Sequence, residues 1–290
     1  MSALGGALEA ALAERLGSRV TGASALAGGD INAAFELELA DGRRLFMKTN
    51  ADAPNGMFRA EARGLAWLGE ARAVRLPAVV AVSGETGPSF LVLELLESAP
   101  RRKNFDEELG RALAALHRAT PGAFGLDHSN FIGSLPQSNA AHGRWVDFFR
   151  SERLAPMLER AQERGRATSA MRRGFERLFA RLPELAGPEE PPARLHGDLW
   201  GGNLHVDETG APCLIDPAAY GGHREMDLAM MRLFGGFSER VFAAYAEAFP
   251  LAGRHAERVP LYQLYPLLVH VNLFGGGYAS SVERVLERYA

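Results

Sequence analysis

Apolar residues recur at helical spacing over residues 4–16, which predicts an amphipathic helix close to the start of the chain. The period then changes. Ala34-Phe35-Glu36-Leu37-Glu38-Leu39 alternates as a half-buried strand does, Asp41-Gly42 supplies a hairpin turn, and Leu45-Phe46-Met47-Lys48 is the returning strand. Residues 58–68 go back to helical spacing, and Phe90-Leu91-Val92-Leu93-Glu94 reads as another strand. Residues 20–98 are thus mostly strands with one helix. After Pro100 the pattern turns helical. Asn104 with Glu107 suggests a start resembling a capping box, and Leu109, Leu113 and Leu116 follow on one face. Residues 145–158 and 171–182 are further helical stretches, residues 187–192 form a Pro- and Glu-rich loop, and the chain is mainly helical again from Arg224. The pattern predicts a small β-rich lobe over residues 1–97 and a larger helical one over 98–290, without repeats or low-complexity segments.

Composition narrows this picture only a little. A chain of 290 residues can hold two lobes with their own cores, and 47% hydrophobic with 23% charged residues is ordinary for a globular protein. A net charge of −3 offers no broad basic face, which argues against nucleic acid or an anionic membrane as the main partner. The one cysteine, Cys213, has no partner for an intramolecular disulfide and lies in an apolar run, where it reads as a small core residue. No stretch approaches the ~20 apolar residues of a membrane span, and the N-terminus lacks the pattern of a signal peptide. The expected location is the cytoplasm.

The chemistry is concentrated in Leu195-His196-Gly197-Asp198-Leu199-Trp200-Gly201-Gly202-Asn203-Leu204 and in Leu214-Ile215-Asp216-Pro217. An Asp stands two residues after a His, an Asn five residues after that Asp, and a second Asp thirteen positions beyond the Asn. Singly, each reads as a turn residue. In this order they match a kinase catalytic loop followed by a metal-binding Asp. Asp198 would accept the proton of the substrate hydroxyl, while Asn203 and Asp216 would hold Mg²⁺ on the phosphates of ATP. Mg²⁺ is a hard cation that takes oxygen ligands, and phosphoryl transfer rests on positioning and charge neutralisation. The ordinary carboxyl pKa leads one to expect Asp198 ionised at rest. His196 reads as a structural residue beneath the loop, Gly201 and Gly202 as the residues that let the loop turn, and Trp200 as either packing or substrate wall. Asp227 reads as a helix cap or as a brace for the loop, with metal ligation as the lesser alternative.

HGDLWGGN, followed by IDPAAYGGHREMDLAMMRLFGGF, resembles the fructosamine kinases, the ketosamine-3-kinases related to aminoglycoside and choline kinases. The resemblance runs from Gly28 to Tyr278 and is most specific in the middle third. It implies an α+β, two-lobed, protein-kinase-like fold with ATP and Mg²⁺ as cofactors. In such folds a strand Lys grips the phosphates and a helix Glu orients it, which points to Lys48 and Glu61, thirteen positions apart. Alone, such a pair would read as solvated charges. Gly28-Gly29-Asp30-Ile31-Asn32 becomes the expected phosphate loop, since glycine lets backbone N–H groups come close to phosphate. It lacks the full GxGxxG pattern. Many family members carry a cysteine in this loop and this chain has none there, so thiol switching is not expected. The hinge over residues 93–97, with Glu94 and Leu96, is implied to offer backbone groups to adenine. His270, Asn272, Phe274, Gly275, Gly276, Gly277 and Tyr278 resemble the family's C-terminal segment and read either as a glycine-capped helix end or as sugar contacts.

The implied activity is phosphorylation of O3 of a ketosamine, a ribulosamine or fructosamine adduct on a small amine or a protein lysine; the phosphate is then a good leaving group next to the C2 carbonyl, and the product falls apart and releases the amine. Two rivals stay open at this stage. One is a kinase of the same fold acting on aminoglycosides or choline, which needs an acidic or aromatic pocket for a cation. The other is a pseudokinase module, whose usual mark is loss of Lys48, Asp198, Asn203 or Asp216. All four are present.

Overall fold

A computed structural model describes residues 4–27 and 31–289. The N-lobe is a five-stranded antiparallel sheet flanked by two helices. Its strands are β1 (Val20–Leu26), β2 (Ala33–Leu39), β3 (Arg44–Thr49), β4 (Val79–Val82) and β5 (Phe90–Glu94), in the order β1-β2-β3-β5-β4. The helices are α1 (Gly6–Leu16) and α2 (Met57–Gly69). Strand alternation assigns the two faces. Leu45 and Met47 of β3 and Phe90 and Val92 of β5 pack with Leu12 and Leu16 of α1. Leu91 and Leu93 of β5 face the other way, onto Phe58 and Leu65 of α2. β5 is therefore apolar from Phe90 to Leu93 because both of its faces are covered. The same alternation turns Lys48 of β3 away from α1 and toward α2. Each of these fully buried large side chains contributes roughly 1.5–3 kcal/mol.

The C-lobe begins with α3 (Phe105–Arg118) and a short hairpin of β6 (Asn130–Ile132) and β7 (Leu135–Gln137). α4 (Trp145–Phe148) runs through a six-residue π-helical segment, Phe149–Leu154, into α5 (Ala155–Glu163), and α6 (Ser169–Leu185) follows. Two small ladders come next, β8 (Ala193–Leu195) with β11 (Tyr220–Gly222) and β9 (Leu204–Val206) with β10 (Pro212–Leu214). α7 (Glu225–Phe234), α8 (Glu239–Ala248), α9 (His255–Phe274) and α10 (Tyr278–Leu286) complete the lobe. Among the described residues no helix is long and apolar enough to cross a membrane.

Three expectations need revision. Asn104 and Glu107 form no capping box: the Asn104 amide donates to Glu108, and Glu107 pairs with Arg240 of α8. The backbone of Asn104 (φ −103°, ψ 20°) is not the extended form a capping side chain needs. The stretch 145–158 is helical but not uniform. Its π segment brings Arg153 fully inside, where its guanidinium lies 3.8 Å from the centre of the Tyr220 ring and donates to Asn139 and to the Ser138 carbonyl. β1 and β4, the two edge strands of the sheet, were not separately foreseen.

Candidate active site

The two ladders present the chemistry. β8 leads into His196, Gly197 and Asp198, a 3₁₀ turn over Gly201–Asn203 follows, and β10 leads into Asp216. Buried Leu199 and Leu214 anchor the two loops in the core built from α3, α7 and α8. Gly197 has φ +82°, and a Cβ there would lie 2.1 Å from the Ala218 carbonyl oxygen, so no other residue fits. Gly201 and Gly202 have no positive φ. Instead Gly202 makes room for the Trp200 ring, whose nearest atom would be 2.3 Å from a Cβ, and Gly201 packs against Gly236. The tight turn expected of those two residues is thus made by Gly197, and their own requirement is close approach.

His196 is fully buried, and burial keeps its pKa low and its ring neutral. Its Nε2 lies 2.8 Å from the Ile215 carbonyl, which can only accept, so Nε2 carries the hydrogen and Nδ1 accepts from Asp198 N–H at 3.3 Å. It ties the two loops together and is not a base. Asp227 sits in the first turn of α7, inside the helix and not at its cap. Its carboxylate accepts from the backbone N–H groups of His196 (2.8 Å) and Gly197 (2.9 Å), the brace anticipated from sequence.

Asn203 reaches back to the catalytic segment. Its Nδ2 lies 2.8 Å from the Asp198 carbonyl, 3.2 Å from Asp198 Oδ2 and 3.4 Å from the Asp216 carbonyl. Carbonyls only accept, so the amide nitrogen must face them, and Oδ1 is left as the group to offer elsewhere. Asp216 has φ +57°, a left-handed backbone uncommon for a residue with a side chain. Its Oδ1 lies 2.6 Å from Lys48 Nζ, which is also 2.6 Å from Glu61 Oε1. β3, α2 and the loop after β10 therefore meet at one ammonium group. Burial works to depress the Lys48 pKa, but the two carboxylates outweigh it and raise it. Burial, with repulsion from Asp216, pushes Glu61 up.

Asp198 departs from expectation. Burial pushes its carboxyl up to about 7, the Asn203 amide pulls it down, and the charges of Asp216 and Asp227 add to the rise. The carboxyl is therefore less fully ionised near neutrality than its ordinary value implies.

Gly28, Gly29 and Asp30 lie outside the described residues. Ile31 and Asn32 are held by Asn50, whose amide donates to the Ile31 carbonyl and to Asn32 Oδ1. Ile31 also touches Gly133 at the tip of the β6–β7 hairpin. At the hinge, the Glu94 side chain is turned away, bonding Arg75 and the Ala78 N–H, and its own N–H is committed to the Ala78 carbonyl. Leu96 N–H and C=O have no backbone partner among the described residues, as an adenine-binding edge requires.

In the C-terminal segment Asn272 is buried and bonds the Met157 and Leu268 carbonyls, so it braces the fold. Gly275 ends α9 with φ +68°. The His270 ring, by contrast, lies 4.6 Å from Phe234, 4.9 Å from Tyr278 and 5.4 Å from Phe274 (centre to centre), and Phe274 is 53% exposed. Phe234 runs into Gly235 and Gly236, which pack on Gly201 of the catalytic loop. An aromatic cluster thus adjoins that loop, in which Trp200 is half-exposed.

A lysine–glutamate pair on a β-rich lobe, facing an Asp–Asn–Asp set on a helical lobe, defines a phosphotransferase of the protein-kinase-like fold. Within that class the chain belongs to the fructosamine kinase family, whose model matches residues 6–290. It is 41% identical over 261 residues to a probable ketoamine kinase of Thermus thermophilus, covering 90% of this chain and 91% of that one. It is 35% identical to the chloroplastic protein-ribulosamine 3-kinase of Arabidopsis thaliana, covering 96% and 85%. A crystal structure of a candidate fructosamine-3-kinase from Thermobifida fusca superposes with a TM-score of 0.88 at 39% identity, covering 97% of this chain and 98% of that one.

Proposed function

We propose that this chain transfers the γ-phosphoryl group of ATP to O3 of a ketosamine, and that the product then eliminates inorganic phosphate from beside the C2 carbonyl and releases the free amine. The single observation that carries the reading is the Lys48 ammonium held 2.6 Å from both Glu61 and Asp216, with Asp198 and Asn203 hydrogen-bonded beside them, in a chain of the fructosamine kinase family. Lys48 is the phosphate-binding cation and Glu61 keeps it on the cleft side of β3. Ile31 and Asn32 would lie at the phosphates, and Leu96, with the Glu94 carbonyl, would receive adenine. Asp198 orients the acceptor hydroxyl and takes its proton as the new O–P bond forms. Trp200 and the cluster around His270 would flank the acceptor.

The donor set fits Mg²⁺. Asn203 Oδ1 is freed by the fixed orientation of its amide, and Asp216 is 42% exposed, with only one of its carboxylate oxygens engaged by Lys48. Two oxygen ligands suit a cation that keeps several waters and takes phosphate oxygens for the rest. When bound, Mg²⁺ supplies charge neutralisation on the phosphates. Asp216→Ala and Asn203→Ala are both expected to raise the Mg²⁺ concentration giving half-maximal rate, Asp216→Ala more so because it removes charge as well as a ligand. Unchanged half-saturation in both would remove the two residues from the metal site.

The substrate is tested by mass spectrometry of a ribulose- or fructose-modified lysine peptide, with kanamycin in a parallel reaction. Phosphate should appear on the glycated peptide, and warming should release inorganic phosphate and the free amine. Selectivity of this kind comes from hydrogen bonds to sugar hydroxyls, which leave the site's polar groups unpaired when an analogue lacks them. A phosphorylated aminoglycoside beside an unmodified peptide would assign the chain to the other substrate class.

A further inference from the structure

Asp227 holds the two amides that immediately precede Asp198, and it is itself held. His117 Nε2 lies 3.2 Å from Asp227 Oδ2, and His117 Nδ1 lies 2.8 Å from the Tyr245 hydroxyl. The side chains of His117 and Asp227 are 0% and 1% exposed, and Tyr245 is 1% exposed. The three residues come from α3, α7 and α8, so three helices converge on one carboxylate. A carboxylate only accepts, which places the ring hydrogen on Nε2. The Tyr245 hydroxyl stands at Nδ1, the other ring nitrogen, so the hydrogen bonds run from Tyr245 through His117 to Asp227. Burial works to raise the Asp227 pKa, but the His117 bond and the backbone amides outweigh it and keep the group low.

We propose that His117 and Tyr245 are positioning residues for phosphoryl transfer, acting through Asp227 on the backbone that carries Asp198. The assignment rests on the reading of Asp198 given above. Without the His117 donor, Asp227 keeps only two backbone donors in a fully enclosed site, and its charged form loses support. A protonated carboxyl has turned one acceptor into a donor, so either the His196 or the Gly197 N–H loses its partner. Gly197 has no room to adjust, because the Ala218 carbonyl lies against it. The displacement therefore passes to Asp198.

Three variants separate positioning from packing. His117→Leu removes the donor, His117→Gln restores an N–H at the place of Nε2, and Tyr245→Phe removes only a hydroxyl. Steady-state rates with ATP and a glycated peptide are read together with hydrogen–deuterium exchange over residues 195–198. The expected result for His117→Leu is a kcat lower by about tenfold or more, with KM for ATP within about twofold. Exchange at the His196 and Gly197 amides should rise with it. His117→Gln should recover kcat to within about threefold of wild type, and Tyr245→Phe should fall between the two. The proposal is overturned if His117→Gln is no better than His117→Leu, if the loss lies wholly in KM, or if folded variants keep wild-type kcat. Should His117→Leu not fold, the other two variants decide on the same criteria. If the wild type phosphorylates no ketosamine, the substrate reading fails while amide exchange still judges the relay. Protection lost in His117→Leu and regained in His117→Gln upholds the relay, and protection unchanged in all three refutes it.

Discussion

Asp198→Asn is expected to lower turnover by ~10²–10⁴-fold, the usual loss when a general base is removed, while ATP affinity stays close to wild type. Asparagine keeps the shape and the contact with Asn203 but cannot take a proton. Activity of the pure variant within threefold of wild type would end the assignment. The same substitution carries a second, opposite effect. Burial holds the Asp198 carboxyl at about 7, well above its value of 3.8 in an unfolded chain. Between those values the unfolded chain releases a proton that the folded one keeps, so wild-type stability falls as pH rises through the window. Asp198→Asn has no such proton. With Mg²⁺ chelated, the variant should melt at a higher temperature than wild type at pH 8, and the gain should vanish near pH 3. A variant less stable than wild type at pH 8 would contradict the raised pKa of the buried Asp198 carboxyl. Activity bought at the expense of stability is common at such sites.

Lys48→Met is expected to cost about 10²–10³-fold in kcat, on the scale of losing one fixed charge from a transition state. Methionine matches the length of lysine, so packing against α2 survives while Glu61 and Asp216 lose the cation they share. Glu61→Ala should be milder, because Asp216 still engages the ammonium. Rates measured beside thermal unfolding separate the two effects. Full activity in Lys48→Met, or a nucleotide-bound structure with Lys48 and Glu61 in separate solvent regions, would argue against the pair.

The residues of the site were legible wherever the chemistry is local in sequence. Asp198, Asn203 and Asp216 lie within nineteen positions, and their spacing carries the meaning. Lys48 and Glu61 needed the downstream motif and the family resemblance, since neither stands out by itself. The helices and β5 announced themselves through period and through an unbroken apolar run. β1 and β4 did not, because edge strands need little apolar content: β1 is built largely of small and polar residues, and Val79 and Val80 of β4 are exposed. Three further features depend on partners far along the chain. The Gly197 requirement comes from Ala218, the Asp198 pKa from its burial, and the His117 role from Asp227, 110 residues away. The hydrophobic period around His117 marks it only as one more inward-facing position of α3.

The Lys48–Asp216 contact joins residues 168 apart. Closing so long a segment is entropically expensive and waits until both lobes have taken shape. The contact is thus expected among the last steps of folding. Interactions absent from the folding transition state leave the folding rate alone and slow unfolding instead. The Lys48 ammonium would then also serve as a kinetic clasp: in Lys48→Met, refolding followed by fluorescence should keep its wild-type rate while unfolding quickens.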